Sequence, residues 1–136
     1  MTQFNTVLII DDDEISNFVS HKLIEQSQFA KNIISYDSAE SALSFIQEKI
    51  KNDIDNLPDL ILLDINMPIM NGWMFLEEYS VLMEGVNKKV ELYMLSSSVY
   101  SKDFDIASKN EFVSGYLVKP LSKDKLEEIN KLKTSV

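Results

Sequence analysis

At 136 residues, with 45% hydrophobic and 26% charged side chains, the chain has the size and balance of one compact globular domain with a single real core. Cysteine is absent, which excludes disulfides and thiolate zinc sites, so a metal is expected to be held by oxygen. A net charge of -9, and a cationic complement made of lysine without arginine, argue against nucleic-acid binding.

The first element predicted is a strand over Val7-Leu8-Ile9-Ile10, apolar at every position as a strand covered on both faces should be. It stops at Asp11. A helix follows with Ile15, Phe18, Val19 and Leu23 on its apolar face, and then a second short strand around Ile33 and Ile34. Asp37 stands three residues before Glu40 at capping-box spacing, and Ala39, Ala42, Leu43, Ile46 and Ile50 give the next helix its stripe. The polar stretch Lys51 to Pro58 reads as a loop, and Leu60 to Leu63 as a third strand that ends at Asp64. Asn66 to Gly72 is rich in turn residues and leads into a helix containing Trp73, Phe75, Leu76 and Tyr79.

A fourth strand is predicted over Val90 to Leu95, running into Ser96-Ser97-Ser98, and a less regular helix between Ser101 and Asn110. The fifth strand, Gly115 to Val118, meets Lys119-Pro120, and Ser122 caps a last helix with Leu126, Ile129 and Leu132 toward the core. Short apolar runs alternating with helical segments define an α/β protein with a doubly wound parallel sheet. The polar N-terminus and the lack of a long apolar run give neither a signal peptide nor an anchor, so the reading is a cytoplasmic protein without membrane contact.

In a parallel sheet the carboxyl ends of the strands share one edge, and sites are built there. That edge collects Asp11, Asp12, Asp64, Ser96 and Lys119 from four strands. Carboxylates so placed repel each other unless a cation joins them, and a set without histidine or cysteine suits Mg²⁺. A lysine and a hydroxyl beside them are what a phosphoryl group needs.

These segments, Val7 to Asp12, Leu62 to Gly72, Leu95 to Ser97 and Gly115 to Pro120, closely resemble the receiver domain of two-component response regulators, over essentially the whole chain. The resemblance implies a flavodoxin-like fold of five parallel strands in the order 2-1-3-4-5 with five helices, as a single receiver domain over residues 1–136. It implies that Asp64 accepts a phosphoryl group from a sensor histidine kinase or a histidine phosphotransfer protein. Mg²⁺ would be bound by Asp11, Asp12, Asp64 and the backbone carbonyl of Asn66. Lys119 matches the lysine that pairs with the phosphoryl group, and the bond to Pro120 one that is usually cis. Ser96 and Tyr116 match the hydroxyl and aromatic of the switch, which would change contacts with a downstream protein that the sequence does not identify. Ser98 and Asn66 match positions that influence how fast the acyl phosphate hydrolyses.

Several residues have plainer readings. Asp13 extends the acidic pair but suits the start of the first helix, where a carboxylate is favoured by the dipole. His21 reads as a solvated surface residue, Met67, Met70, Trp73 and Met74 as packing under the Asp64 loop, and the lysines from Lys123 to Lys133 as a solvated face. Three other functions compete. A haloacid-dehalogenase-type phosphatase would use Asp11 as nucleophile and Asp13 as acid, but Glu14-Ile15 stands where that class has Gly-Thr. A flavodoxin-like electron carrier would face an FMN phosphate with three successive aspartates. A receiver-like docking module would have lost phosphorylation, yet every acceptor, metal and lysine position is present.

Overall fold

A computed structural model describes residues 4–97 and 101–134, with residues 101 and 132–134 described by backbone alone. The elements run β1 (Phe4–Ile10), α1 (Glu14–Gln26), β2 (Ala30–Tyr36), α2 (Ala39–Asn52), a 3-10 turn (Ile54–Asn56) and β3 (Leu60–Asp64). They continue as α3 (Gly72–Leu82), β4 (Glu91–Ser96), α4 (Ser101–Lys109), β5 (Gly115–Val118) and α5 (Lys123–Thr134). All strand pairs are parallel, in the order β2-β1-β3-β4-β5. This is the doubly wound architecture expected from the alternation of apolar runs and helical segments.

The unbroken apolar strands divide by their two-residue period between two cores. Leu8, Ile10, Ile61, Leu63, Leu92 and Met94 pack with Ala42 and Ile46 of α2, Phe75 and Tyr79 of α3, and Ala107 of α4. Val7, Ile9, Leu60, Leu62, Tyr93 and Leu95 pack on the other side with Ile24 of α1 and Leu126 and Ile129 of α5. Each fully buried aliphatic side chain contributes about 1.5–3 kcal/mol, so these two layers hold the sheet edge rigid enough to carry a site. Gly115 sits where a β-carbon would lie 2.6 Å from the Tyr93 ring, so β5 closes on β4 only without a side chain there.

Four expectations need correction. Most of the expected apolar face of α1 does not enter the core: Ile15, Phe18 and Val19 are 75%, 63% and 50% exposed, whereas Leu23 packs half-buried against the second core and Ser20 and Ile24 are buried. The reason lies at the helix start, where the side chains of Ser16 and Asn17 bond Asp11 and turn the polar face inward. The cap of α2 is Ser38, whose hydroxyl accepts from the Ser41 amide, one residue later than the Asp37 spacing indicated. Met67 is buried and Met70 and Trp73 are half-buried, as the packing reading required, but Met74 is largely exposed. Lys125 is not a solvated member of its helix: its ammonium turns back to donate to the carbonyls of Val118 and Pro120. Ser122 does cap that helix, accepting from the Lys125 amide. Ser98 lies outside the described residues, as does the Leu132 side chain.

Candidate metal and phosphoryl site

β1 ends inside the core, so Asp11 begins its loop almost fully buried, and its amide donates to the Tyr36 carbonyl of the neighbouring strand. An ionised carboxylate there needs donors. Oδ1 accepts from the Asp13 amide at 2.9 Å, and Oδ2 accepts from Ser16 Oγ at 2.9 Å and from Lys119 Nζ at 2.6 Å. Asp12 is exposed. Asp13 is the N-cap of α1, its Oδ1 accepting from the amides of Ile15 and Ser16, which is the structural role its position suggested.

Asp64 closes β3 and is buried, with the Asn66 amide 3.4 Å from its Oδ1 and Lys119 Nζ 3.6 Å from its Oδ2. The loop behind it is held by the Gly72 amide on the Ile65 carbonyl, and a β-carbon on Gly72 would come within 3.0 Å of the Asp64 carbonyl oxygen. Ser96 ends β4, fully buried, and its carbonyl accepts from the Lys119 amide at 2.7 Å, which ties the hydroxyl residue to the lysine. The Lys119-Pro120 bond is cis. Tyr116 is half-buried, with its ring edge-on to Phe104 of α4 at 6.0 Å between centroids. His21 lies one turn from Glu25, with its Nε2 3.9 Å from the Glu25 carboxylate and its side chain partly exposed.

Asp11, Asp12 and Asp64 each bring a carboxylate oxygen into one group within 4.8 Å. Burial, and then the charge of Asp11, push the Asp64 carboxyl from 3.8 up to about 7, although Lys119 and the Asn66 amide pull the other way. Burial pulls the Lys119 ammonium down, but its hydrogen bond to Asp11 and the charges of Asp11, Asp64 and Asp13 outweigh that and leave it raised. Among the described residues Lys119 pairs with two of these three carboxylates, Asp11 and Asp64, so the group carries more negative than positive charge. An all-oxygen donor set, short of positive charge and with one exposed member open to water, fits a hard divalent cation such as Mg²⁺.

The sheet order and this acidic edge define a receiver domain. Residues 7–131 match the response regulator receiver domain family, and the chain belongs to it. Receiver domains are signalling phosphoacceptors rather than ordinary enzymes; they bind Mg²⁺ at an acidic pocket and work with sensor histidine kinases or phosphotransfer proteins. The chain is similar to a two-component response regulator from Cytophaga hutchinsonii, with 30% identity, a TM-score of 0.89, and coverage of 98% of this chain and 99% of that one. It is 27% identical to the two-component response regulator ARR14 of Arabidopsis thaliana over 90% of its own length, and spans 29% of that protein. It is 26% identical to the response regulator Rcp1 of Synechocystis sp. (strain ATCC 27184 / PCC 6803 / Kazusa) over 83% of this chain and 75% of Rcp1. Among the described residues no helix is long and apolar enough to cross a membrane.

Motif reasoning missed Ser16 and Asn17, which grip Asp11 from the first turn of α1. Their signal was polarity at the start of the helix that follows a buried aspartate, a place where such side chains reach back. It also missed the exposure of Ile15 and Phe18 in the first turns of α1.

Proposed function

We propose that this receiver takes a phosphoryl group onto Asp64 from the phosphohistidine of a kinase or phosphotransfer protein and passes the signal on by protein contact. The observation that carries the reading is the buried Asp64 carboxylate, grouped with Asp11 and Asp12 within 4.8 Å and facing Lys119 at 3.6 Å. Asp11, Asp12, Asp64 and the Asn66 carbonyl would hold Mg²⁺, whose charge offsets that of the carboxylates and of the incoming phosphoryl oxygens. In the transfer an Asp64 oxygen forms a bond to phosphorus, the phosphorus–nitrogen bond breaks, and the electron pair leaves with the partner's imidazole. An acyl phosphate remains on Asp64. The reacting form is the carboxylate, so a group that titrates near neutrality needs added positive charge to react well.

Lys119 is placed to meet the product, because the same ammonium that bonds Asp11 lies beside Asp64. Ser96, at the end of the adjacent strand, supplies a hydroxyl donor to a phosphoryl oxygen, and Tyr116 shares its β4–β5 neighbourhood through the pairing of Ser96 with Val118. Ile15, Phe18 and Val19, exposed on the helix that follows the acidic loop, would give a partner an apolar seat, and the kinase or phosphotransfer protein that presents the phosphohistidine is its proposed occupant. The phosphatase alternative is disfavoured because Asp13, its required acid, is engaged as a helix cap.

Intact mass after incubation with acetyl phosphate tests the reading. A gain of one phosphoryl group that requires Mg²⁺ and is absent in Asp64→Asn is expected. An unmodified wild type would instead favour the docking-module alternative, and continuous release of inorganic phosphate in bulk would favour the phosphatase.

A further inference from the structure

The Asp11 carboxylate is held by a residue that belongs to none of the family's acidic, hydroxyl or lysine positions. We infer that Ser16 is a positioning residue for the metal site: its hydroxyl holds Asp11 Oδ2 in the orientation from which a divalent cation is bound. The inference rests on the reading of this edge as a Mg²⁺ site.

Two donors meet at Asp11 Oδ2, Ser16 Oγ at 2.9 Å and Lys119 Nζ at 2.6 Å, and they differ in kind. Lys119 carries a full charge on a long stem and is shared with Asp64 at 3.6 Å. An ammonium and a metal ion compete for the same negative oxygen. A hydroxyl is neutral, so it can keep its bond to a carboxylate oxygen whose remaining lone pairs face a cation. Ser16 is also the better anchored of the two donors. It lies in the first turn of α1, half-buried, and its amide donates to Asp13 Oδ1 at 3.3 Å. The next residue repeats the grip, because Asn17 Nδ2 donates to the Asp11 main-chain carbonyl at 2.6 Å. The first turn of α1 therefore fixes Asp11 at both its carboxylate and its backbone.

This accounts for the orientation of α1. A helix whose first turn must reach back to Asp11 cannot also turn Ile15 and Phe18 toward the sheet, and those side chains lie in solvent.

A matched pair of variants isolates the hydroxyl, since Thr and Val share shape and β-branching and differ only in that group. Calorimetric titration with Mg²⁺ is compared in wild type, Ser16→Thr and Ser16→Val, with far-UV circular dichroism to establish that all three are folded. Ser16→Thr is expected to bind close to wild type and Ser16→Val about 10- to 100-fold more weakly, the usual range for removing a group that orients a metal ligand. Equal binding by the two variants, to within about twofold, overturns the inference while leaving the metal site itself intact. A wild type that binds no Mg²⁺ overturns the reading on which it rests as well.

Discussion

Helices α1 and α2 carry comparable apolar stripes and use them in opposite ways. In α2 the stripe is buried: Ala39, Ala42 and Ile46 lie at 0% exposure against the sheet. In α1 the stripe of Ile15, Phe18 and Val19 faces solvent, while Ser16 and Asn17 turn inward to Asp11. Helix α2 is held along its stripe by hydrocarbon; α1 is held by Ile24 and Leu23 against the second core and at its first turn by hydrogen bonds to a charged group, and presents Ile15, Phe18 and Val19 outward. Periodicity identifies which residues share a face of a helix, but the partners available to that face decide whether it turns in or out.

The largest effect that separates the two helices is on stability. Ile46→Ala should cost about 2–5 kcal/mol in denaturant unfolding, because it opens a cavity in a closed core. Phe18→Ala should stay within about 0.5 kcal/mol of wild type in the same measurement. A large loss from Phe18→Ala would mean that α1 packs through its apolar stripe after all.

The second effect is on pH dependence, and it arises at the acidic edge beside the first turn of α1, where Asp64 is buried near Asp11. Asp64 has a folded-state value near 7 against 3.8 for the free side chain, so between these values the native state binds more protons than the unfolded chain. The contribution of Asp64 to the stability of the metal-free protein is therefore fullest below pH 3.8 and is lost as pH rises toward 7, with burial of the carboxylate as the main cause. The fall attributable to this residue should be on the order of 2 kcal/mol after allowance for solvent screening. Urea unfolding in chelator across that range, with Asp64→Asn as reference, measures it; identical slopes for the two proteins would remove Asp64 as the source.

The smallest effect is kinetic. Phe18→Ala should slow phosphoryl transfer from the cognate kinase about tenfold, equivalent to roughly 1.4 kcal/mol, while leaving phosphorylation by acetyl phosphate unchanged. Rapid-quench transfer assays with both donors give the ratio. An equal slowing with both would place Phe18 in the chemistry rather than in docking.

Much of the fold was legible because the apolar runs of β1, β3 and β4 are continuous, and a fully apolar run that stops at Asp11, Asp64 or Ser96 marks both a strand and its carboxyl end. Asp13 was legible as a cap for the same local reason, its carboxyl lying next to the amides it bonds. What the chain order hid were contacts between distant segments. The bond from Lys119 to Asp11 spans 108 residues, and that lysine's stronger attachment to Asp11 than to Asp64 depends on how β5 and β1 are spaced across β3 and β4. The Ser16 grip on Asp11 and the return of Lys125 to the Val118 carbonyl are short in sequence, yet they need the helix axis to be set first. Neither leaves a pattern that a helical period can report.

The central claim is that Asp64, and no other carboxylate of the cluster, becomes the acyl phosphate. Borohydride reduces an acyl phosphate of aspartate to homoserine, which peptide mass spectrometry locates to a single residue. After treatment with acetyl phosphate and Mg²⁺, homoserine at position 64 and unchanged aspartate at positions 11, 12 and 13 is the result predicted. Homoserine at position 11 would contradict the account and restore the phosphatase reading, in which Asp11 is the nucleophile.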